Sequence, residues 1–521
     1  FGNTTSKKVT PSVGPEQEYF LVDEEKFLQR KDLIYTGRTL FGAMPPKGQE
    51  LDDHYFGTIR QRIASYMKDV NEELWKLGVT AKTQHNEVAP AQHEIAPIYD
   101  QANIAVDHNH VVMQTLKRVA CEHGMKCLLH EKPFAGVNGS GKHNNWSIIT
   151  DDGINLLEPG KTPHENIQFL LVLTCILKAV DIHADLLRES AADVGNDHRL
   201  GANEAPPAII SVFLGEQLED VLEQLISTGT ATHSIKGGKL QTGVKTLPDL
   251  AKDATDRNRT SPFAFTGNKF EFRSLGSALS IACPNIMLNT IAAEELRQFA
   301  NELEGAKDLK AAVLSLVKRV VSEHKRIIFN GDGYSEEWVK EAESRGLLNL
   351  RTTVDALPRY LDQKNVALFT SHKIYTEAEM EARYETIMEE YSKTLHIEAL
   401  TMGRMVRHEV IPSVSSYLAE LAGAINAKRS IQKDLPCRAE TALLTKLSTL
   451  LDTAYEQAEG LEAALADPRT TSENVLTVAS YYRDTMIPAM EALRATVDEM
   501  ELNVSSDHWP YPTYADLMFR I

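Results

Sequence analysis

Two glutamates stand two residues apart in Gly14-Pro15-Glu16-Gln17-Glu18-Tyr19-Phe20-Leu21. On a strand, period two turns both carboxylates to one face. Tyr19-Phe20-Leu21-Val22 follows directly, so a largely buried strand is expected, and buried paired acids generally need a cation between them. A solvated edge strand is the competing reading. A second pair, Glu87 and Glu94, lies in His85-Asn86-Glu87-Val88-Ala89-Pro90-Ala91-Gln92-His93-Glu94. One flat strand would send these two acids to opposite faces, but Pro90 denies a central strand and a bend there would bring both to one site. His85 and His93 also have ligand chemistry, though hard cations such as Mg²⁺ prefer oxygen. In Thr266-Gly267-Asn268-Lys269-Phe270-Glu271-Phe272-Arg273, strand periodicity sets Lys269, Glu271 and Arg273 on one face and Phe270 and Phe272 on the other. This is either an exposed strand of alternating charge, or a site holding a metal through Glu271 and anions through Lys269 and Arg273. Asp256-Arg257-Asn258-Arg259 lies just upstream, and Arg199 and Glu204 lie in a Gly/Pro loop, His198 to Pro207, of a kind that can cover a site. Hard-metal ligands together with guanidiniums are the equipment of phosphoryl transfer from a nucleotide.

The stretch Gly136-Val137-Asn138-Gly139-Ser140-Gly141-Lys142-His143 matches seven of the eight positions of a phosphate-binding G-x-x-x-x-G-K-[ST] loop, with His143 where the metal-binding hydroxyl belongs. Context argues against that loop. Asn144 to Thr150 reads as a β-run closed by Asp151-Asp152-Gly153, where a phosphate loop would open a helix. A flexible turn between strands is the plain reading, and imidazole at position 143 is a metal ligand in its own right.

The elements that must position these residues fall into two regions. Up to about residue 285, short strands (Glu18–Asp23, Trp146–Thr150, Ala208–Phe213, Phe270–Phe272) alternate with helices expected at about 55–77, 101–124 and 164–190. Beyond that, helical periodicity dominates. Leu444, Leu447, Leu451, Ala454, Ala458, Leu461 and Leu465 form a coiled-coil seam, which Asp467-Pro468 ends. Met486, Met490, Leu493, Val497 and Met500 repeat the spacing, so an antiparallel αα-hairpin is expected at about 440–500, serving packing.

The chain has 521 residues and a net charge of 55 − 73 = −18. It is long enough for two or more domains, and its acidity disfavours nucleic acid and anionic membranes as partners. Five scattered cysteines without a Cys-x-x-Cys pair argue against a disulfide framework and a structural zinc, and suit a reducing, cytoplasmic setting. The longest apolar run, Phe169 to Val180, contains Lys178 and is too short to span a bilayer. The first residues do not form a signal peptide, and the missing initiator Met suggests a fragment or a processed product.

Taken in order, Glu16-Gln17-Glu18, Glu87…Glu94, Asn138-Gly139-Ser140-Gly141-Lys142-His143, Arg199…Glu204-Ala205-Pro206 and Asn258-Arg259…Lys269-Phe270-Glu271-Phe272-Arg273 resemble the motifs of the glutamine synthetase catalytic domain over about residues 12 to 285. The wording from Gln84 to Pro97 and the long helical region look most like the type III branch. The resemblance implies an α+β fold, a curved antiparallel sheet with flanking helices like that of the guanidino kinases, over residues 1–285, followed by an all-α region over 286–521. It implies ATP-dependent ligation of ammonia to the γ-carboxylate of glutamate through γ-glutamyl phosphate, in nitrogen assimilation. It also implies ATP and two or more Mg²⁺ or Mn²⁺ ions per site, and a homo-oligomer of two stacked hexameric rings. By the same resemblance Glu18, Glu87 and Glu94 would bind one metal, and Glu16, His143 and Glu271 the metal bridging the ATP phosphates. Asn138, Gly139, Arg199 and Arg273 would hold glutamate. Arg259 and Lys269 would neutralise the transferring phosphoryl group, and Glu204 would take a proton from ammonium. Asn145 and Ser147 would contact the nucleotide, Asn145 replacing the family's more usual His. Two departures stand out: the family's N-terminal β-grasp domain, which completes a neighbour's site, is not in this sequence, and the usual second Arg after Arg259 is absent, with Lys269 the candidate to compensate. A ligase of the same fold acting on another amine, such as a polyamine, and a non-catalytic homologue are the competing readings. Retention of all six metal-ligand positions argues against the latter.

Overall fold

The computed structural model describes residues 1–234, the two-residue strands Lys239–Leu240 and Leu250–Ala251, and residues 259–520. Its strands in chain order are β1 (Val9–Pro15), β2 (Gln17–Asp23), β3 (Ala81–Asn86), β4 (Gln92–Pro97), β5 (Asp100–Gln101), β6 (Met125–Leu128), β7 (Gly141–Thr150), β8 (Val212–Phe213), β9 (Lys239–Leu240), β10 (Leu250–Ala251), β11 (Phe263–Phe265) and β12 (Phe270–Gly276). They form a six-stranded sheet in the order β5-β1-β7-β12-β11-β8 and a four-stranded sheet in the order β3-β4-β2-β6, while β9 pairs with β10. Pairing is antiparallel throughout except between β11 and β8. The fold is α+β, as expected.

The two sheets are continuous at one residue. Glu16 lies between β1 and β2, and the chain leaves one sheet and enters the other across it. Pro15 has no amide to extend a ladder, and the Glu16 amide instead donates to the His143 carbonyl at 2.9 Å. The expectation that one strand carries Glu16 and Glu18 on one face is therefore corrected: period two applies only from Gln17 onward.

Each sheet has its own core. Phe270 and Phe272, the apolar face opposite Glu271, pack with Phe263 and Trp146 in the six-stranded sheet, and the Phe263 and Phe270 rings stack at 4.7 Å. The helix Ile167–Ile182 is apolar almost all round and lies buried there, beside Ala282–Leu303 and Leu309–His324. On the other sheet, Tyr19 and Leu21 pack with Tyr66 and Leu74 of Gln61–Lys76 and with Val112 and Leu116 of Ala102–Glu122. Residues 55–60 are turns rather than helix, and a break at His183 divides the helix expected over 164–190, continuing as Ala184–Glu189. The strand expected over 208–213 shrinks to Val212–Phe213, because Pro206 and Pro207 supply no donors upstream.

From Glu377 the chain forms long helices, Glu377–Met405, Ile411–Ile431, Arg438–Leu465, Val475–Tyr481 and Ile487–Glu501. Wide π-turns at Val406–Val410 and Tyr482–Met486 precede Pro412 and Pro488. A proline inside a helix removes one donor and crowds the carbonyl of the preceding turn, and a one-residue expansion relieves both. The second arm of the expected hairpin thus begins at Val475 and widens at Tyr482–Met486 before it carries the rest of the seam. The seam faces inward: Leu447, Ala454, Ala458 and Leu461 share a core with Met490, Leu493, Val497 and Met500, while Leu444, Leu451 and Leu465 are half-buried at its edge. All five cysteines are unpaired. Among the described residues no helix is long and apolar enough to cross a membrane.

Replacing Leu461 with Ala should destabilise the protein by about 2–5 kcal/mol, and the half-buried Leu451 by less. Chemical denaturation of the two variants checks the order. Equal losses would mean that the seam's edge is as well packed as its centre.

Candidate active site

The acids converge where the two sheets meet. Across the four-stranded sheet, Glu18 on β2 is directly opposite Glu94 on β4, and Glu94 is directly opposite His85 on β3. Directly opposed residues of an antiparallel pair share a face, so the three line up. Pro90 sits in the tight connection between β3 and β4, where Ala91 takes a positive φ of 64° and the Glu87 amide donates to the Gln92 carbonyl at 2.9 Å. That bend brings Glu87 to the same face as Glu94. In the six-stranded sheet Glu271 is paired with Asn145 of the neighbouring strand β7, which also carries His143.

His143 joins the two halves. Its Nδ1 lies 2.8 Å from Glu16 Oε2 and 3.1 Å from Glu271 Oε1, and its Nε2 lies 4.0 Å from Glu18 Oε1. Three sets of groups are near enough to share an ion: Glu16, His143 and Glu271; Glu18, Glu94 and His143; and His85, Glu87 and Glu94. His85 Nε2 is 3.2 Å from Glu94, whereas His93 turns away and bonds Asn86 Oδ1 at 3.0 Å. Burial raises the Glu18 carboxyl, and burial with the charges of Glu18 and Glu94 pushes Glu87 up to about 9. Burial works in the same direction on Glu16, but the hydrogen bond and charge of His143 bring it below its ordinary value. His143 is held well above its ordinary value despite burial and the nearby Arg273, because it bonds Glu16 and Glu271. Oxygen-rich donors that repel one another, backed by the imidazoles of His143 and His85, fit a hard divalent cation such as Mg²⁺ or Mn²⁺.

Cationic groups line the other side. Arg199 is buried, donating from Nη1 to Asn196 Oδ1 at 3.2 Å and to the Leu275 carbonyl at 3.1 Å. Arg273 is buried, and its Nη1 lies 3.8 Å from Glu271. Two glycines make room. A Cβ on Gly139 would come within 2.2 Å of the Glu131 carbonyl, and one on Gly141 within 2.1 Å of the Arg199 guanidinium. The glycines thus admit the protein's own groups. Lys142 points away: its fully buried ammonium donates to the Ser277 and Leu279 carbonyls, and burial pushes it down to about 7. It is unavailable to a phosphate in this site.

Glu204 caps the cluster. It is ion-paired with Arg259, and Asn138 Nδ2 donates to it at 3.3 Å. Asn203 and Glu204 both have positive φ, 52° and 67°. Consecutive non-glycine residues in that region store backbone strain, which is concentrated where a loop moves or clamps. Asn258 lies outside the described residues. Lys269 precedes β12 in the turn, so it is not on the strand with Glu271 and Arg273. With Glu16, Asn145, Ser147, Asn155 and Asn268 it lines a cavity of about 460 Å³. Asn145 Nδ2 donates to Glu16 Oε1 at 2.9 Å, and Ser147 Oγ donates to Asn155 Oδ1 at 2.6 Å.

Four groups at this site carried no signal in the sequence. Gln49 bonds both the amide and the side chain of Asn138 at 2.8 Å. Glu131 is fully buried against Gly195 and Gly276, and accepts from the Ala278 amide at 2.7 Å. Asn196 holds Arg199. Tyr334 is near enough to the charges of Glu204, Arg199 and Arg273 to feel them, and burial first pushes its phenol up to about 12.

Residues 2–179 match the family model for the glutamine synthetase catalytic domain, and residues 312–429 the model for the glutamine synthetase C-terminal domain. The glutamine synthetase of Butyrivibrio fibrisolvens is 46% identical over 520 residues, which is 99% of this chain and 73% of that protein. The chain belongs to the glutamine synthetase family. The type-3 glutamine synthetase of Dictyostelium discoideum is 45% identical over 99% of this chain and 71% of its own length, and the glutamine synthetase of Bacteroides fragilis 40% over 98% and 72%. The enzyme's reaction is therefore ATP-dependent formation of glutamine from glutamate and ammonia, as the sequence motifs imply.

In this glutamine synthetase, Lys142→Met should keep kcat within a few-fold of the parent while lowering stability by about 1–3 kcal/mol, since two buried carbonyls lose their donor. Steady-state kinetics beside a thermal melt checks both. Abolished turnover in a fully folded variant would return Lys142 to the phosphates.

Proposed function

We propose that Glu16, His143 and Glu271 hold one divalent metal and that Glu18, Glu87 and Glu94 hold a second. The observation that carries this reading is His143, bonded to Glu16 and Glu271 and 4.0 Å from Glu18, where the two acid sets adjoin. Bound metal ions would offset the charge of the ATP phosphates and of the substrate carboxylate. Asn138, Gly139, Arg199 and Arg273 hold glutamate, and the buried guanidiniums suit its carboxylates. The nucleotide enters the cavity walled by Asn145, Ser147 and Lys269; Asn145 serves it indirectly, by orienting Glu16. Arg259 and Lys269 neutralise the phosphoryl group as it passes to the γ-carboxylate, a step required because a free carboxylate does not yield to ammonia. Glu204 takes a proton from ammonium, so that neutral ammonia displaces phosphate from γ-glutamyl phosphate. Its loop must also exclude water, which would hydrolyse that acyl phosphate. His85 supports Glu94 and Glu87 from the side. The division of labour follows the family: residues 1–285 carry most of the chemistry, and 286–521 support assembly as two hexameric rings in the cytoplasm. Formation of γ-glutamyl hydroxamate that requires Mg²⁺ or Mn²⁺ is the direct assay, and metal-independent turnover would end the two-metal reading.

His143→Ser should reduce activity at least 10–100-fold, the range seen when groups merely supporting a ligand are lost. Its hydroxyl is too short to reach Glu16 and Glu271 from the same backbone position. Near-normal metal affinity in that variant would remove His143 from the ligands.

Glu87 supplies a pH test. A carboxyl held at about 9 without metal carries a proton at pH 7 and must lose it to become a ligand. Metal binding should therefore release protons near pH 7, one from Glu87 and one from the charged His143, and apparent affinity should rise as the pH approaches 9. Calorimetry of Mg²⁺ binding in buffers of different ionisation enthalpy measures the release. No buffer dependence would exclude Glu87.

A further inference from the structure

A second cavity, of about 190 Å³, opens between the loop that leads to Asn138 and the helical region. Its walls include Arg38, Lys132, His198, Met490, Glu491 and Arg494. The volume is roughly six times the share of one water in the liquid, about 30 Å³. Its charges are unequally used. Arg38 is committed to Glu398 through two bonds of 2.6 and 2.7 Å. Arg494 faces Asp498 at 3.1 Å and Tyr514 Oη at 2.7 Å. Lys132 has a carbonyl partner, that of Val137, and its ammonium has further donors to offer. His198 Nε2 is buried with no hydrogen-bond partner. Glu491 is exposed at the rim. Burial and the neighbouring cations depress both titratable donors: Lys132 is pushed down to about 8 by burial and Arg199, and His198 well below its ordinary value by burial, Arg38, Arg494 and Lys132.

We propose that this cavity binds a compact anion, a phosphate or a short carboxylate, between Lys132 Nζ and His198 Nε2, and that its occupancy tunes glutamate binding. In the Nε2–H tautomer the unpartnered His198 nitrogen is a buried donor, and with the Lys132 ammonium, which has no carboxylate partner, it is relieved by an anionic acceptor. The route to the active site is short. Lys132 lies in the chain segment that continues to Asn138, and His198 precedes Arg199. Across the cavity, Arg494 reaches the same loop through Tyr514 Oη, which accepts from the Ala135 amide at 2.9 Å. The tuning rests on the glutamate roles given above to Asn138 and Arg199; the binding does not.

Crystals of the full chain soaked in selenate locate the anion directly. An anomalous peak within hydrogen-bond reach of Lys132 Nζ and His198 Nε2 is expected. Density confined to Arg199 and Arg273 would overturn the site. In solution, selenate affinity should fall several-fold in Lys132→Gln and rise several-fold in Glu491→Lys, whose exposed position leaves folding untouched. An unchanged affinity in Glu491→Lys would also overturn it. Displacement of selenate by inorganic phosphate but not malonate assigns a phosphate ligand, the reverse assigns a carboxylate, and displacement by neither sinks both. If the peak is present, KM for glutamate should shift with the displacing anion in the parent but not in Lys132→Gln, while kcat holds; an equal shift in both would overturn the tuning alone.

Discussion

The catalytic half of the molecule is organised around a repulsion. Five carboxylates, those of Glu16, Glu18, Glu87, Glu94 and Glu271, are drawn into one region where two sheets share a strand boundary. Two unit charges 4 Å apart at an effective dielectric constant of about 20 repel by about 4 kcal/mol. Without metal, the molecule relieves that cost with protons. Glu87 is pushed toward its neutral form, and His143 is held toward its charged form between Glu16 and Glu271. Both answers are the wrong protonation state for ligation, since a metal needs a charged Glu87 and a neutral His143. On the metal roles proposed above, loading the site would exchange protons for metal.

Much of this was legible in the sequence, and the reasons differ from residue to residue. Phe270 and Phe272 alternate with Glu271 because one face of β12 packs against Phe263 and Trp146, so period two worked there. The same rule gave the right neighbours for the wrong reason at Glu16 and Glu18. Pro15 interrupts the ladder, and the pair is reunited through His143 on another strand. Pro90 was correctly read as a bend, but its partner Ala91, in a left-handed conformation, announced nothing. Glu131 and Gln49 were invisible because each acts through a contact distant in sequence, and Asn196 because its bond to Arg199, three residues on, depends on how the chain turns there. In the helical region the seam was readable from spacing alone, whereas the π-turns were not, since nothing in the spacing marks where the chain widens ahead of Pro412 and Pro488.

The helical region is tied to the catalytic loops by buried polar groups as well as by packing. Arg38 donates twice to the fully buried Glu398, and the Gly42 amide donates to Asp498 at 2.6 Å. Such bonds add little to stability once desolvation is counted, but they fix register, because each buried group left unpaired is costly. Tyr514, near the end of the chain, joins several of these contacts. It packs on Phe134, bonds Thr39 and Arg494, and holds the Ala135 amide. The loop that carries Asn138 is therefore clamped from behind by residues hundreds of positions later, and a disturbance of the helices reaches that loop without touching an acid.

The glycines in the loop show what that clamping requires. Gly139 lets the Glu131 carbonyl come close enough to accept from the Ser140 amide at 2.8 Å, and Gly141 lets Arg199 lie flat against the strand. Gly195 and Gly276 in turn pack directly on the Glu131 carboxylate. Three segments, around residues 139–142, 195–199 and 276–278, thus meet at one buried acid, and Lys142 and Arg199 are the cations near enough to offset its charge. A resemblance to a phosphate-binding loop arises because both architectures need glycine where backbone and a charged group must touch. In a phosphate loop the charged group is the ligand, and here it is the protein's own Glu131 and Arg199. The lysine follows the same logic: its ammonium faces inward because the buried carboxylate and the Ser277 and Leu279 carbonyls need it there, which leaves the acid-lined side of the strand to His143.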